Sequence, residues 1–137
     1  MAALNADLKV YGKNYSDDIA VPQNTTAYSS SVDTGTKGVL GSINVKLFVG
    51  TTELSVAATQ ILTVTLQSSA DNISFTDIIL LYTITGAAQA ATTAAAGLAL
   101  MQIVIPPNAL RYTRLKYISD DAAGTGTLIA YPQYLPR

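Results

Sequence analysis

The sequence has 137 residues, a length that suits one domain, and its net charge is −1. It contains neither Cys nor His, which excludes disulfides, zinc sites, Ser-His-Asp triads and Cys-His dyads. Charged residues make up 12% of the chain, against roughly 25% in an average soluble domain. Such a chain has either an uncharged polar surface or a surface covered by other subunits, and we favour the second. Without clustered Lys and Arg, we expect no nucleic-acid binding.

The first part of the chain combines polar segments with two strand signals. We expect a flexible arm over about residues 1–7 and no secretory leader. Thr25–Asp33 is β-prone but weakly apolar, which is typical of an edge strand or of an outer sheet face. The stretch 34–42 contains three glycines and predicts a loop. Apolar residues then alternate with others through Ile43–Val49, and this period of two predicts a half-buried strand.

The middle of the chain carries no charged residue from 78 to 110. Gln60–Gln67 alternates like a strand, and the segment before it, Gly50–Ala58, is interpreted as a connection. Ile78–Tyr82 is apolar on both strand faces, so we place it in the middle of the sandwich. Ala87–Ala96 is rich in Ala and Thr, too weakly apolar for a membrane helix, and predicts a loop with at most a helical turn. We therefore expect no membrane partner.

The last part of the chain predicts three further elements. Leu98–Ile105 is a strand signal that ends at a Pro-Pro pair. Ala109–Tyr134 contains two β-prone runs around SDDAAGTG, which predicts a β-hairpin with a long loop. The short tail Pro132–Arg137 contains two prolines, which we expect to prevent further strand pairing.

The first run of the predicted hairpin has two chemically different faces, because successive strand residues point to opposite sides. We expect Thr113, Leu115 and Tyr117 to face the core. The other face is basic and aromatic, and carries Tyr112, Arg114 and Lys116. In the return run Leu128 and Ile129 are adjacent, so the pattern leaves open which face is buried.

About eight strands separated by turns, with no sustained helical periodicity, predict an all-β fold. We expect residues 1–137 to form one antiparallel β-sandwich, specifically a jelly roll.

The carboxylates do not form a convincing catalytic or metal-binding pattern. The pairs Asp17-Asp18 and Asp120-Asp121 are sequence neighbours, whose side chains point apart on a strand. Sequence leaves open a glycosidase-like combination of Asp33, Asp71 or Asp77, and a calcium site in SDDAAGTG that matches no EF-hand loop. Phosphate-binding glycine motifs do not occur. We favour solvated turn residues, and hence no enzyme, no cofactor and no metal.

The basic residues near Tyr112 suggest a protein contact, in which an Arg donates forked hydrogen bonds to a partner carboxylate. A solvated strand face is the alternative. The eight tyrosines suit a core, an interface or, less well, a sugar platform. The predicted interface residues are Tyr112, Arg114, Lys116, Asp120, Asp121 and Lys37.

The chain resembles the small jelly-roll cement, or decoration, proteins on the heads of tailed bacteriophages, of the Bordetella-phage type. The resemblance runs from about Tyr15 to Tyr131. It is carried by YSDDIAVPQNTTAYSSSVDTG, by LTVTLQSSADNISFTDI and by PPNALRYTRLKYISDDAAGTGTLIA.

The resemblance implies a non-enzymatic virion protein, made in the bacterial cytoplasm and placed on the outer capsid surface. Its implied partners are the major capsid protein, whose subunits it clamps against internal DNA pressure, and itself, as a dimer or trimer. We expect the arm and the loops 34–42 and 87–96 to carry contacts. The alternative function is a carbohydrate-binding β-sandwich, such as a tail-tip or lectin-like module.

Overall fold

A computed structural model describes residues 14–34, 43–106 and 108–134. Eleven strands and no helix occur within these ranges. The predicted arm, Lys37, most of the loop 34–42 and the end of the predicted tail lie outside them. The strands are β1 (Ser16–Ala20), β2 (Thr25–Tyr28), β3 (Val32–Asp33), β4 (Ile43–Val49), β5 (Leu54–Val56), β6 (Ile61–Ser69), β7 (Thr76–Thr85), β8 (Thr92–Ala94), β9 (Ala99–Val104), β10 (Tyr112–Ser119) and β11 (Thr127–Tyr134).

The strands form two larger antiparallel sheets and one small one. The first sheet has the order β1-β11-β4-β9, and the second has the order β2-β10-β6-β7, with β3 also paired to β10. A two-stranded sheet joins β5 to β8. This confirms the predicted all-β antiparallel sandwich. The count of about eight was too low because β3, β5 and β8 have only two or three residues each.

The core lies between the two larger sheets. Alternate residues of β4 from the first sheet meet alternate residues of β6 from the second, as their period of two predicts. β10 and β11 also contribute to this cluster. The buried side chains of these strands are Ile43, Val45, Leu47, Val49, Leu62, Val64, Leu66, Leu115, Tyr117, Leu128 and Ala130. Burying a Val, Leu or Ile contributes about 1.5–3 kcal/mol each, so this cluster is the main favourable term for folding.

The predicted hairpin of Ala109–Tyr134 is wrong. β10 pairs with β2, β3 and β6, whereas β11 pairs with β1 and β4 in the other sheet. The residues that connect β10 to β11 contact the small sheet, where Thr125 forms an antiparallel β-bridge with Ser55. Turn-forming residues show that the chain changes direction, but they do not select the sheet in which it continues. Leu128 is buried and Ile129 is half-buried, so the core-facing side of this run, which the sequence left open, is the side of Leu128.

The placement of Ile78–Tyr82 in the middle of the sandwich is also wrong. These residues belong to β7, which is the edge strand of the second sheet and pairs with β6. Two register irregularities interrupt this pairing, and Leu80 remains 57% exposed. An apolar run on both faces predicts a covered strand, but here only one face is covered within the described chain.

Two segments interpreted as connections contain strands. Within Gly50–Ala58, Leu54–Val56 forms β5, and within Ala87–Ala96, Thr92–Ala94 forms β8, with no helical turn. The two strands pair with each other, so β-branched Thr and Val override the helical preference of the surrounding alanines.

The expectation that proline ends strand pairing at Pro132 is wrong as well. β11 continues through Pro132, which lies opposite Val45 of β4. On the other side of β11, the register with β1 ends at Ala130 opposite Ser16. Among the described residues, Pro132 therefore has a neighbouring strand on one side only, and its missing N–H does not interrupt a second ladder.

Candidate functional site

The outer side of β10 is the surface that the sequence singled out. Thr113, Leu115 and Tyr117 are at most 1% exposed, whereas Tyr112, Arg114 and Lys116 are partly exposed. The predicted assignment of the two faces is therefore confirmed. We call the outer surface formed here by β2, β10, β6 and β7 the polar face. It is defined by Tyr28, Gln67, Phe75, Asp77, Tyr112, Arg114 and Lys116.

Arg114 is held between two aromatic rings at the centre of the polar face. Its guanidinium carbon lies 4.1 Å from the centroid of the Tyr28 ring and 4.0 Å from that of Phe75. Its Nε donates a 2.8 Å hydrogen bond to Oε1 of Gln67, the residue directly opposite on β6. Cation–π contacts on both sides and one in-plane hydrogen bond fix the orientation of this side chain.

The hydrogen bonding continues from Gln67 to an ion pair. Nε2 of Gln67 donates to Oδ1 of Asp77 at 2.8 Å, and Nζ of Lys116 donates to both carboxylate oxygens at 2.9 and 2.8 Å. The hydrogen bonds from Lys116 and then from Gln67 lower the pKa of Asp77. The amide of Gln67 is thus held by Asp77 at its nitrogen and by Arg114 at its oxygen. The direction of the hydrogen bond that it accepts from Arg114 is therefore fixed as well.

A second ion pair lies at the beginning of β10. Arg111 donates from Nε and Nη2 to the two oxygens of Asp33 at 2.9 and 2.8 Å. This forked contact raises the pKa of Arg111. The same guanidinium carbon lies 5.2 Å from the ring centroid of Tyr112. Arg111 and Lys116 therefore each have a carboxylate partner, whereas Arg114 has none within the described ranges.

The remaining predicted interface residues lie elsewhere. Asp120 accepts the backbone N–H of Ile61 at 2.7 Å. Asp121 is 3% exposed and accepts the backbone N–H groups of Ala57 and Ala123. Both carboxylates hold loops in place, so we do not include them in the proposed contact surface. Lys37 lies outside the described residues.

A second candidate surface is formed by the edge strands β7 and β9, which lie side by side at the same flank of the sandwich. Every residue from 78 to 106 is uncharged. We call the surface formed by these residues the uncharged flank. Leu80, Leu98 and Val104 are 57%, 49% and 43% exposed there. A groove of about 310 Å³ adjoins it, lined by Lys46, Phe48, Ala99, Leu100, Met101 and Gln102.

The described carboxylates that might have formed a glycosidase-like set have structural partners. Asp33 and Asp77 pair with cations, and Asp71 accepts hydrogen bonds from the N–H groups of Ile73 and Ser74 and from the Ser69 hydroxyl. These bonds lower the pKa of Asp71 to about 2. Within the described ranges, no three His, Cys, Asp or Glu side chains group as metal ligands. The same ranges contain no helix that is long and apolar enough to cross a membrane.

A polar cleft of about 240 Å³ lies at the opposite flank, between β1 and β2. Tyr15 and Tyr28 both contribute to its lining, together with Asn14, Ser16, Asp17, Ile19, Ser29 and Ser30. The Tyr15 ring is 1% exposed, and its hydroxyl is bonded to Thr113 at 2.7 Å. Tyr28 is 53% exposed but stacks on Arg114. The cleft thus contains polar groups, but one of its two aromatic rings is buried and the other is stacked on Arg114.

The inner side of β10 carries a buried hydroxyl pair that makes stability dependent on alkaline pH. The Tyr117 and Ser16 hydroxyls are 2.6 Å apart. Burial raises the pKa of Tyr117 to about 12, an effect that the Ser16 hydrogen bond partly offsets. An unfolded Tyr titrates near pH 10, so the unfolded state loses its proton first as the pH rises. This contribution to stability is complete below about pH 10 and is lost towards pH 12.

We expect the free energy of unfolding in urea to fall between about pH 10 and pH 12, and Tyr117→Phe to reduce that slope. At neutral pH the variant loses about 1 kcal/mol, since the buried Ser16 hydroxyl loses its partner. An unchanged slope in Tyr117→Phe would show that other groups cause it.

Comparison with known proteins finds no matching family model and no matching curated protein. Solved structures with a similar fold include the PBSX exported protein XepA, with 16% identity and a TM-score of 0.46 over 91% of this chain. The chain spans 37% of XepA. A pentameric capsid protein from metagenomic phage sequences has 16% identity and a TM-score of 0.43, with 96% of this chain and 72% of that one covered.

A third similar structure, PirA, has 18% identity and a TM-score of 0.39, with 90% of this chain and 97% of that one covered. All three TM-scores lie below 0.5, so these similarities carry no argument about function.

Sequence reasoning found Arg114 but missed the residues that hold it. Tyr28 and Gln67 come from β2 and β6, which flank β10, and Phe75 precedes β7. Their meeting depends on strand order and register, which no local pattern contains. The uncharged flank did leave a signal, because the absence of charge from 78 to 110 is visible in the sequence.

Proposed function

We propose that this chain is a structural virion protein that binds the outer surface of a phage head. It bridges neighbouring major capsid protein subunits and catalyses no reaction. The observation that carries the proposal is the uncharged flank, where two neighbouring edge strands expose apolar side chains. The sequence resemblance to head cement proteins supports the same function.

The uncharged flank has the properties of a surface covered by another subunit. Monomeric proteins protect sheet edges with charged residues, especially Lys, and rarely expose large apolar patches. β7 and β9 lack such charges after Asp77. Interfaces between identical subunits are more apolar than other interfaces. We therefore assign the flank to a second copy of this chain, which makes the bridging unit a dimer or trimer.

The polar face then remains free for the capsid. Its charged and aromatic residues suit a contact with a different protein, where Arg and Tyr contribute most. An oligomer presents several copies of this face, so the unit engages several capsid subunits at once. The overall affinity of several linked contacts exceeds the affinity of one contact by about a hundredfold or more where the geometry permits. Modest single contacts are thus sufficient to strengthen a pressurised head.

We expect Leu80→Asp combined with Val104→Asp to convert the oligomer to monomers. Each change places a charge on the uncharged flank, where a partner subunit would bury it. Sedimentation velocity measures the outcome, with an expected weakening of self-association of at least about a hundredfold.

Ile19→Asp is the matched control, because Ile19 is 45% exposed on β1 at the opposite flank. It should leave the oligomer intact. A wild-type chain that sediments as a monomer at high concentration would refute the assignment of the flank to a second copy.

The location on the virion is tested by cryo-electron microscopy of heads from the phage that encodes the chain. We expect density for the sandwich on the outer capsid surface, in contact with more than one capsid subunit. Heads without such density, together with no binding of the purified chain to them, would refute the proposed function.

Carbohydrate binding is a second candidate, favoured by the polar cleft between β1 and β2. Ligand sites are usually larger, about 300–1,000 Å³, and both aromatic rings here are engaged or buried. Binding of the purified chain to a glycan array without binding to heads would favour this function over the first.

A further inference from the structure

Arg114 has unused hydrogen-bonding capacity in a fixed position. Its Nε donates to Gln67, and its two faces are covered by Tyr28 and Phe75. A guanidinium carries further N–H donors on its two Nη atoms. Within the described ranges, these donors have no acceptor. The surrounding contacts fix the plane of the group, so little rotamer entropy remains to be lost when a partner binds.

The charges of the polar face are unbalanced at Arg114. Lys116, which belongs to this face, is paired with Asp77, and Arg111, which lies beside it at the beginning of β10, is paired with Asp33. The side-chain hydrogen-bond partner of Arg114 is the neutral amide of Gln67. One positive charge therefore remains without a carboxylate among the described groups of this face. A partner that complements it must bring one negative charge.

We propose that Arg114 is the anchor through which this protein binds a carboxylate side chain of a major capsid protein subunit. The inference rests on the proposed function. The two Nη atoms of Arg114 donate side by side to the two oxygens of an Asp or Glu, the geometry that guanidinium and carboxylate groups share. The rings of Tyr28 and Phe75 shield the pair from water, which strengthens it.

The same observations disfavour two other occupants. A second copy presenting its polar face would offer Asp77 and, beside the face, Asp33, and both are already paired with cations. A phosphate group carries more negative charge than the single unbalanced cation complements, and nucleic-acid binding relies on several clustered basic residues. A carboxylate from a different protein fits the charge of the face.

The first test measures binding to purified undecorated heads, with Arg114→Gln, Arg114→Lys and the control Arg111→Gln. Removing one partner of a shielded charge pair weakens binding by roughly thirtyfold or more, and we expect this for Arg114→Gln. Arg114→Lys keeps the charge but loses the planar fork, so its binding should also stay well below wild type. Arg111→Gln removes the same charge from a side chain that is 53% exposed, and should bind within about twofold of wild type.

The second test identifies the partner group. A carbodiimide activates carboxylates and joins them to nearby amines, and Arg114→Lys supplies such an amine at the proposed anchor. With Arg114→Lys bound at high concentration, we expect mass spectrometry to find an amide link from position 114 to an Asp or Glu of the capsid protein. A link to another copy of this chain, or none, would overturn the proposed partner.

The outcomes separate this inference from the function on which it rests. If wild type and Arg114→Gln bind heads equally, the anchor is wrong and the proposed function stands. If wild type does not bind heads, both are wrong. Competition by inorganic phosphate but not by glutarate would replace the carboxylate with a phosphate group. Sedimentation should show the same oligomer for all three variants, since Arg114 lies outside the uncharged flank.

Discussion

Asp121→Ala should lower the free energy of unfolding by about 3 kcal/mol. The carboxylate is almost fully buried and accepts backbone N–H groups from Ala57 at 2.7 Å and from Ala123 at 2.8 Å. Hydrogen bonds to a charged group contribute about 1.5–3 kcal/mol each, and their donors would lose their partner in the variant. The carboxylate links the β10–β11 connection to the end of β5, so its loss loosens the point at which the chain changes sheets.

Urea unfolding followed by circular dichroism measures this loss as a lower midpoint at an unchanged slope. Asp120→Ala is the matched control, because the neighbouring carboxylate is exposed and accepts one backbone N–H, from Ile61 at 2.7 Å. We expect it to cost less than about 1.5 kcal/mol. Equal losses in the two variants would contradict the structural role assigned to Asp121.

The alternation of residue types predicted most of the regular fold correctly. Ile43–Val49 and the strand around Leu62, Val64 and Leu66 lie where their period of two placed them. The two faces of β10 are also as predicted, because burial on one side of a strand leaves a direct record in its sequence. Thr25–Asp33 contains β2, which lies at the edge of the second sheet as its weak apolarity suggested.

Strand pairing was predicted poorly because it is not a local property. The residues of SDDAAGTG show a turn, but the destination of the chain depends on contacts with residues around Leu54–Val56. For the same reason β5 and β8 were missed, since each is stabilised mainly by the other. A strand of three residues carries too short a pattern to recognise alone.

In the candidate site, too, the features of a single strand were predicted, whereas the contacts between strands were not. Arg114 was predicted from its own strand, whereas its ring and amide partners come from β2, β6 and the residue before β7. The absence of charge from 78 to 110 is visible in the sequence, but Ile78–Tyr82 within it was interpreted as a covered central strand. The structure places these residues at an edge, and in the proposed function a second copy of the chain supplies the burial that the composition implies. The local pattern therefore predicted that these apolar residues are covered, but it did not predict what covers them.

We expect Gly126→Ala to lower the free energy of unfolding by about 3 kcal/mol or more. Gly126 has a φ of 120°, where a side chain costs roughly 1–2 kcal/mol. An added Cβ would also lie 2.6 Å from Cα of Leu54 and 2.9 Å from the carbonyl oxygen of Glu53. Both contacts are with backbone atoms, so the small sheet would have to move away from β11, at a further cost of about 1–3 kcal/mol.

Gly97→Ala separates the two causes. Gly97 has a φ of 80°, but an added Cβ would meet nothing within 4 Å. It should therefore show the backbone cost alone, about 1–2 kcal/mol. The difference between the two variants in urea unfolding then reports mainly the steric cost of opening the contact between Gly126 and Leu54, together with the larger backbone cost at a φ of 120°. If the β10–β11 connection crosses between sheets as described, that difference is large. If these strands formed a hairpin away from β5, the two variants would lose similar amounts of stability.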